Sequence, residues 1–476
     1  MANFQQQEIS IKIESDCFVK PKYEIEAMKK PYHLGPADLI MLSIDPIQKG
    51  LLFSLDSTNI IGLDRTTFLS NFVEKLKHSL SIALVHFYPL AGRFSTQKYV
   101  NENACSIYVE PNKGPGARFI HATARKFTVS DVISPNDVTI VRSFFDLGEK
   151  CLNYDGLTKA LLSIQVTELL DGVFIGFSLN HSVVDGTSFV HFVNMFSHIF
   201  RNHDDNVIHE SKIAKIPRVP IFNYRPWLSH DADNEDVAVL KFPVLDLDKL
   251  MSREYNPGPL RERIFHFSHT SMSKLKAKAN QECGTENVIS SFQSLSSFVW
   301  RSITRVRNLA PDQQTSCFFA MGARGRLDPP ISDDYFGSFL CKTQYDCKVE
   351  ELLDNGIGWN ATKLHELIKT QDGKSILEFY EEFAKAPLVL PRGLDPKPLG
   401  ENGVIMGGSA RFDMYGSEFG LGRALAIRMG YANKENGKIT ASAGCQGGGS
   451  VDLEICLRPR IMSALEADQE FMSFVS

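Results

Sequence analysis

Residues 177–192 read FSLNHSVVDGTSFVHF, and the period of the apolar residues changes in the middle of them. Upstream, ALLSIQVTELLDGVFIGFSLN (160–180) holds two β-like runs about a turn at Asp171–Gly172, so the stretch up to Asn180 reads as buried strand. Downstream, Phe189, Phe192, Val193, Phe196 and Phe200 recur at helical spacing and fall on one face. His181 therefore stands where a strand gives way to a helix, with Asp185 at the helix start. A histidine at a strand end can present its imidazole to a cleft. Its near-neutral pKa lets it take a proton from a hydroxyl or an amine. The carboxylate four positions on has three readings: it orients the ring, it pins the loop through an arginine elsewhere, or it only caps the helix. Gly186 permits a bend that a side chain would obstruct. One His and one Asp make no metal site without a third ligand, and no matching signature is present.

The surrounding chain has 476 residues, 43% of them hydrophobic and 22% charged, an ordinary globular composition. That length suits two domains or one two-lobed unit. A net charge of -5 advertises no nucleic-acid partner. The nine cysteines are odd in number and form no CxxC pair. They imply neither a zinc ribbon nor a disulfide framework and read as reduced, mostly buried thiols. No apolar run approaches the ~18 residues that cross a bilayer. The opening MANFQQQEISIKIESD does not read as a signal peptide, nor the final FVS as a peroxisomal address. A cytoplasmic protein with no membrane partner is expected.

EISIKIESDCFVKP (8–21) alternates and predicts an opening strand. In DRTTFLSNFVEKLKHSLSIALVHF (64–87), Phe68, Phe72, Leu76 and Leu80 predict a helix, with Asp64 or Thr66 as cap and Pro89 as stop. Residues 203–240 are rich in proline and acidic residues and read as an exposed crossover between two lobes. Beyond it, RIFHFS (263–268) and SCFFAMGA (316–323) predict strands, and SMSKLKAKANQEC (271–283) and SFQSLSSFVWRSITRVRNL (291–309) predict helices. WNATKLHELIKTQDG (359–373) and SILEFYEEFAKA (375–386) predict two more helices. ALAIRMGYA (424–432), GKITASAG (437–444) and SVDLEICLR (450–458) read as terminal strands joined by turns. In ARGRLDPPISDDYFGSFL (323–340), Arg324 or Arg326 could hold a buried carboxylate through a bidentate fork.

Five motifs then occur in one order: YPLAGRF (88–94), NHSVVDGTSF (180–189), SFQSLSSFVWRS (291–302), ARGRLDPPISDDYFG (323–337) and EFGLG (418–422). In these, and over essentially its whole length, the chain resembles the plant BAHD acyltransferases, which are acyl-CoA-dependent. The resemblance implies an α/β protein of two lobes, each a mixed-sheet, chloramphenicol-acetyltransferase-like fold. The lobes would be residues 1–205 and 241–476, joined by a long crossover loop at 206–240. A channel would run between them, and a segment near 376–404 would pack with the first lobe. The resemblance further implies that His181 is the general base, that Asp185 is structural and pairs with Arg324, and that the chain acts as a monomer. The substrates would be an acyl-CoA donor and a small-molecule acceptor, with no bound cofactor.

The sequence also departs from the family. The usual DFGWG reads Glu418-Phe419-Gly420-Leu421-Gly422, followed by Arg423-Ala424 in place of Lys-Pro. The Ser-Trp pair that supplies an indole N–H to the oxyanion in hydroxycinnamoyltransferases is replaced by MGGSARF (406–412), so Ser409 or a backbone N–H near Gly408 is expected to substitute. Arg392, in LVLPRGLD (388–395), and Asp45, in LSIDPIQKGLLF (42–53), are expected near the acceptor. Lys274 and Lys278 are expected near the CoA phosphates. The alternative reading keeps the fold and the base for CoA-independent lyase chemistry.

Overall fold

The change of period at residue 180 is a change of element. The computed structural model describes residues 11–55, 64–133, 139–148, 151–202, 215–222, 239–251, 253, 256–389 and 401–476. In the first half the strands are β1 (Lys12–Val19), β2 (Tyr32–His33), β3 (Ile47–Ser54), β4 (Arg93–Tyr99), β5 (Ala104–Glu110), β6 (Ala117–Thr123), β7 (Leu162–Glu168) and β8 (Gly172–Leu179). In the second half they are β9 (Arg261–Phe267), β10 (Gln314–Gly322), β11 (Leu340–Lys348), β12 (Val404–Ser409), β13 (Ala426–Met429), β14 (Lys438–Ala443) and β15 (Val451–Leu457).

They form two six-stranded sheets, in the orders β1-β6-β7-β8-β3-β13 and β11-β10-β12-β14-β15-β9, and a small sheet β2-β5-β4. Both large sheets are mixed. The β6–β7 pair is parallel in the first, and β10–β12 and β12–β14 are parallel in the second. The two-lobed mixed α/β architecture that the sequence implies is present.

Strand β8 is buried along its whole length because it lies inside its sheet and is covered on both faces. The chain then folds back over it as the helix Gly186–Asn202. Phe177 of the strand meets Phe189 and Phe196 of the helix edge-on, with centroids 6.4 Å apart in each case. Such ring pairs add to the area they bury. The helix Arg65–His86 forms as its spacing predicts. Asp64 caps it by accepting the N–H groups of Thr66 and Thr67. The second lobe has its own core around Trp300, Phe298, Leu453 and Phe471.

The C-terminal strands depart from the simple series read in the sequence. β14 and β15 pair with each other in the second sheet, but β13 crosses to the first sheet and pairs antiparallel with β3, from Ala426 opposite Leu52 to Met429 opposite Lys49. Its short apolar pattern fits any open sheet edge, so the pattern does not say which edge it joins. The segment leading into β13 carries the EFGLG motif. Phe419 is fully buried. Its ring packs against Phe177, Phe196 and Phe200, with centroids 6.2, 5.1 and 6.0 Å away. Leu421 is buried beside it, while Glu418 faces Arg201 at 3.5 Å, both partly exposed. The motif is thus a pin from the second half of the chain into the core of the first. The helix Gly373–Lys385 also bridges: Phe383 joins the first lobe's core and Tyr380 a cluster with Ala37 and Phe339.

Phe419→Ala is expected to lower the unfolding free energy by about 3–5 kcal/mol, the cost of a large buried aromatic. Urea unfolding reads this as a lower midpoint. A change of less than about 1 kcal/mol would show that the ring is not a packing pin.

Candidate active site

A cavity of about 1580 Å3 lies between the lobes and takes its walls from both. His181, Gly186 and Thr187 face it from the first lobe, and Phe318, Arg326 and Ser409 from the second.

The loop that carries His181 is held by its backbone. The His181 N–H donates to Asn153 Oδ1 at 2.7 Å, and the His181 carbonyl accepts from Ser338 Oγ at 2.9 Å. Asn180 Nδ2 donates to the Asn153 carbonyl at 2.7 Å, and Asn180 Oδ1 accepts the Ser182 N–H at 3.0 Å. The two bonds to His181 reach its main chain and not its ring. Its Nδ1 is buried with no hydrogen-bond partner among the described residues. Burial lowers the pKa of the ring below the ordinary histidine value of 6.5, opposed by the backbone of His181 and Val184 and by the Asp185 charge, and reinforced by the Lys438 charge. The ring is therefore neutral at pH 7 and free to accept a proton.

Asp185 bonds to the backbone and to an arginine, and so combines two of the roles open to it in the sequence. It caps the helix Gly186–Asn202, Oδ1 accepting the Ser188 N–H at 2.9 Å. It also receives the Arg324 guanidinium as a fork, Nη1 donating to Oδ2 and Nη2 to Oδ1. The Phe339 N–H adds a bond to Oδ2 at 3.1 Å. Asp185 is 1% exposed and Arg324 4%. Arg324 Nη2 goes on to Ser188 Oγ at 3.1 Å and the Gly337 carbonyl at 3.0 Å. Arg324 is the residue of the RGR pair that takes the carboxylate. Arg326 instead donates to the Ile368 and Gln371 carbonyls.

A second buried carboxylate was not visible as a motif. Asp38 is 1% exposed and accepts the N–H groups of Gly35 at 2.8 Å and Ser338 at 2.7 Å. Burial raises its pKa to about 7 despite those bonds. Through Ser338 it steadies the residue that holds the His181 carbonyl. Asn153, Ser338 and Asp38 lie 28, 157 and 300 residues from their partners in the contacts just described. No local spacing encodes such pairs.

Gly408 and Ser409 end β12 at the cavity wall. Gly408 has φ +77°, a left-handed conformation that favours glycine. The Ser409 hydroxyl accepts the Arg411 N–H at 3.1 Å, which leaves its O–H to donate.

Other residues chosen from the sequence lie elsewhere. Asp45 does not line the cavity; its Oδ2 accepts the Asn433 N–H at 2.7 Å and so ties two loops together. Lys274 and Lys278 are exposed outside it, and Lys278 pairs with Glu282 at 2.6 Å. The same helix turns Met272 and Lys276 to the cavity. The sequence reading missed that pair, although its signal is helical spacing, since residues four apart share a face. Residues 418–422 pack behind the helix Gly186–Asn202, away from the cavity. Arg392 lies outside the described residues.

Removing Arg324 would strand Asp185 in the interior. Arg324→Ala is expected to cost about 3–5 kcal/mol in denaturant unfolding. Arg324→Lys, which cannot form the fork, should recover only part of that. A loss below about 1 kcal/mol for the alanine variant would place the pair with surface salt bridges.

The family model described as the Transferase family matches residues 12–472. An uncharacterized acetyltransferase of Arabidopsis thaliana is 32% identical over 463 residues, covering 96% of this chain and 98% of its own. The BAHD acyltransferase DCR of the same plant is 31% identical over 473 residues, covering 98% and 93%. F. graminearum TRI101, solved with coenzyme A and deoxynivalenol, superposes with a TM-score of 0.68 at 19% identity, over 94% of this chain and 99% of its own. The last of these shows a shared two-lobed fold, and the others reach further. With a family model spanning nearly the whole chain and full-length relatives above 30% identity, the chain belongs to the BAHD family of transferases and is an acyltransferase.

Proposed function

We propose that the protein moves an acyl group from acyl-CoA to a hydroxyl or amine of a small specialised metabolite, with His181 as general base. The observation that carries this reading is the state of His181. It is a neutral imidazole on a loop held through its main chain by Asn153 and Ser338, and it faces a cavity between the lobes.

Nε2 takes the proton from the acceptor's O–H or N–H as that atom attacks the thioester carbonyl. No acyl-enzyme forms. The tetrahedral oxyanion is met by the Ser409 hydroxyl or by backbone N–H groups beside Gly408, a contribution on the order of 3 kcal/mol for one donor. Collapse breaks the C–S bond, and the coenzyme A thiolate recovers the proton from the imidazolium.

The charge of the cavity supports a polyanionic donor. Ten basic side chains line it against five acidic ones, in a chain whose net charge is -5. Lys276, Lys342 and Lys438 are among the cations and suit phosphate groups as point charges. TRI101, of the same fold, was solved with coenzyme A, and this reading takes the present cavity to hold the same ligand. Cytoplasmic residence as a monomer completes it. All nine cysteines are free thiols, as a reducing compartment allows. Among the described residues no helix is long and apolar enough to cross a membrane.

The test is release of free CoA from a panel of acyl-CoAs in the presence of pooled hydroxyl and amine metabolites. His181→Ala should lower kcat by about 100-fold to 10,000-fold. The acid limb of kcat/KM should fall at a pH below the ordinary histidine value of about 6.5, because the folded-state pKa is lowered and the base form persists into more acid solution. Consumption of a metabolite without any thioester would instead select the lyase reading.

A further inference from the structure

Among the described residues four basic side chains are buried: Lys49, Arg93, Arg324 and Arg428. Three of them are satisfied by the protein. Arg93 donates to the Gly92 and Gly116 carbonyls at 2.7 and 2.9 Å. Arg428 donates to the Val132 and Ile133 carbonyls, each at 3.0 Å. Arg324 holds Asp185. Lys49, 7% exposed, has no hydrogen bond or ion pair among the described residues, and its ammonium lies over the Phe412 ring, 5.5 Å from the centroid. Burial alone pulls its pKa down to about 8, with no neighbouring carboxylate opposing the shift.

A desolvated, unpaired ammonium is costly, and its position makes the cost intelligible. Lys49 lines the same cavity as His181. It lies on β3 opposite Phe177 of β8, the strand that runs into the His181 loop. Phe412, which it faces, also packs against the end of that loop: a Cβ added at Gly186 would stand 2.6 Å from the same ring. The ammonium and the start of the helix after His181 therefore flank one aromatic side chain.

We infer that Lys49 seats a carboxylate carried by one of the two substrates, so that the acid itself completes the ion pair the protein leaves open. The inference rests on the acyl-transfer reading for the identity of the two substrates, though not for the binding itself. The carboxylate can belong to the acyl group, as in the monothioester of a dicarboxylic acid, or to the acceptor. Either way it would sit in the cavity that holds His181, where a fixed charge also sets the substrate's orientation.

The test compares matched pairs. In the donor arm succinyl-CoA is set against butyryl-CoA. In the acceptor arm a set of hydroxy acids and amino acids is set against their methyl esters. Each arm is read twice, as the ligand-induced rise in Tm and as release of free CoA, with wild type, Lys49→Met and Lys49→Arg. Lys49→Met keeps the aliphatic length and removes the buried charge, so its unliganded Tm should equal or exceed that of the wild type. In one arm the wild type should favour the carboxylate by about 10-fold or more in apparent affinity, the size of a single buried charge-assisted contact. That preference should vanish in Lys49→Met and return in Lys49→Arg. Equal response to acid and neutral partner in both arms, or a preference that survives in Lys49→Met, overturns the inference. If the preference follows Lys49 in Tm while no thioester is ever consumed, the anion seat stands and the acyl-transfer reading falls.

Discussion

The rest of the structure depends on one ion pair. Asp185 belongs to the first lobe and Arg324 to the second, and both are buried where the lobes meet. A buried pair gains little net stability over apolar packing, because removing two charges from water offsets most of their attraction. Its value here lies in direction. The fork fixes the guanidinium plane, the helix cap fixes the carboxylate, and Ser188, Gly337 and Phe339 each add a bond to one or the other. Together these bonds join the two lobes beside the cavity that Asp185 and Arg324 both line.

The same pair explains why His181 looks unsupported. In a Ser-His-Asp triad the carboxylate grips the imidazole and sets its tautomer. Here the carboxylate is committed to the backbone and to the opposite lobe, and the ring is aimed by its main chain. Asn153 holds the His181 N–H and Ser338 holds the carbonyl, with Asp38 behind Ser338. An imidazole positioned in this way keeps its lone pair for a ligand. The lysine on β3 follows the same logic as a cation, since the fold buries its ammonium at the cavity without an ion pair among the described residues.

Much of the fold was legible in the sequence, because it is written in local periods. The β7–β8 hairpin turned at Asp171–Gly172, the helix from Arg65 capped by Asp64, and the helix after Asp185 all follow from spacing and caps. What spacing cannot encode is which distant element lies alongside. The edge joined by β13, the hold of Ser338 on His181 and the tie from Asp45 to Asn433 each connect residues more than a hundred positions apart. The basic helix shows a subtler limit. Counting lysines led to Lys274 and Lys278, whereas the helix phase set by Met272 brings Lys276 to the cavity. Lys49 escaped notice for a related reason: in a strand with one covered face, a lysine reads as the solvent side until the cover is known.

The crossing of β13 bears on how the protein comes into being on the ribosome. The first sheet ends at β3 until residues 426–429 have been made, although β3 itself is complete by residue 54. For most of translation that strand presents an unpaired edge, the kind of surface on which other chains pair. Domains usually close one after another as they emerge, the N-terminal one first. Here the amino-terminal lobe has to wait for residues 426–429, so the nascent chain carries an open edge on β3 until β13 closes it.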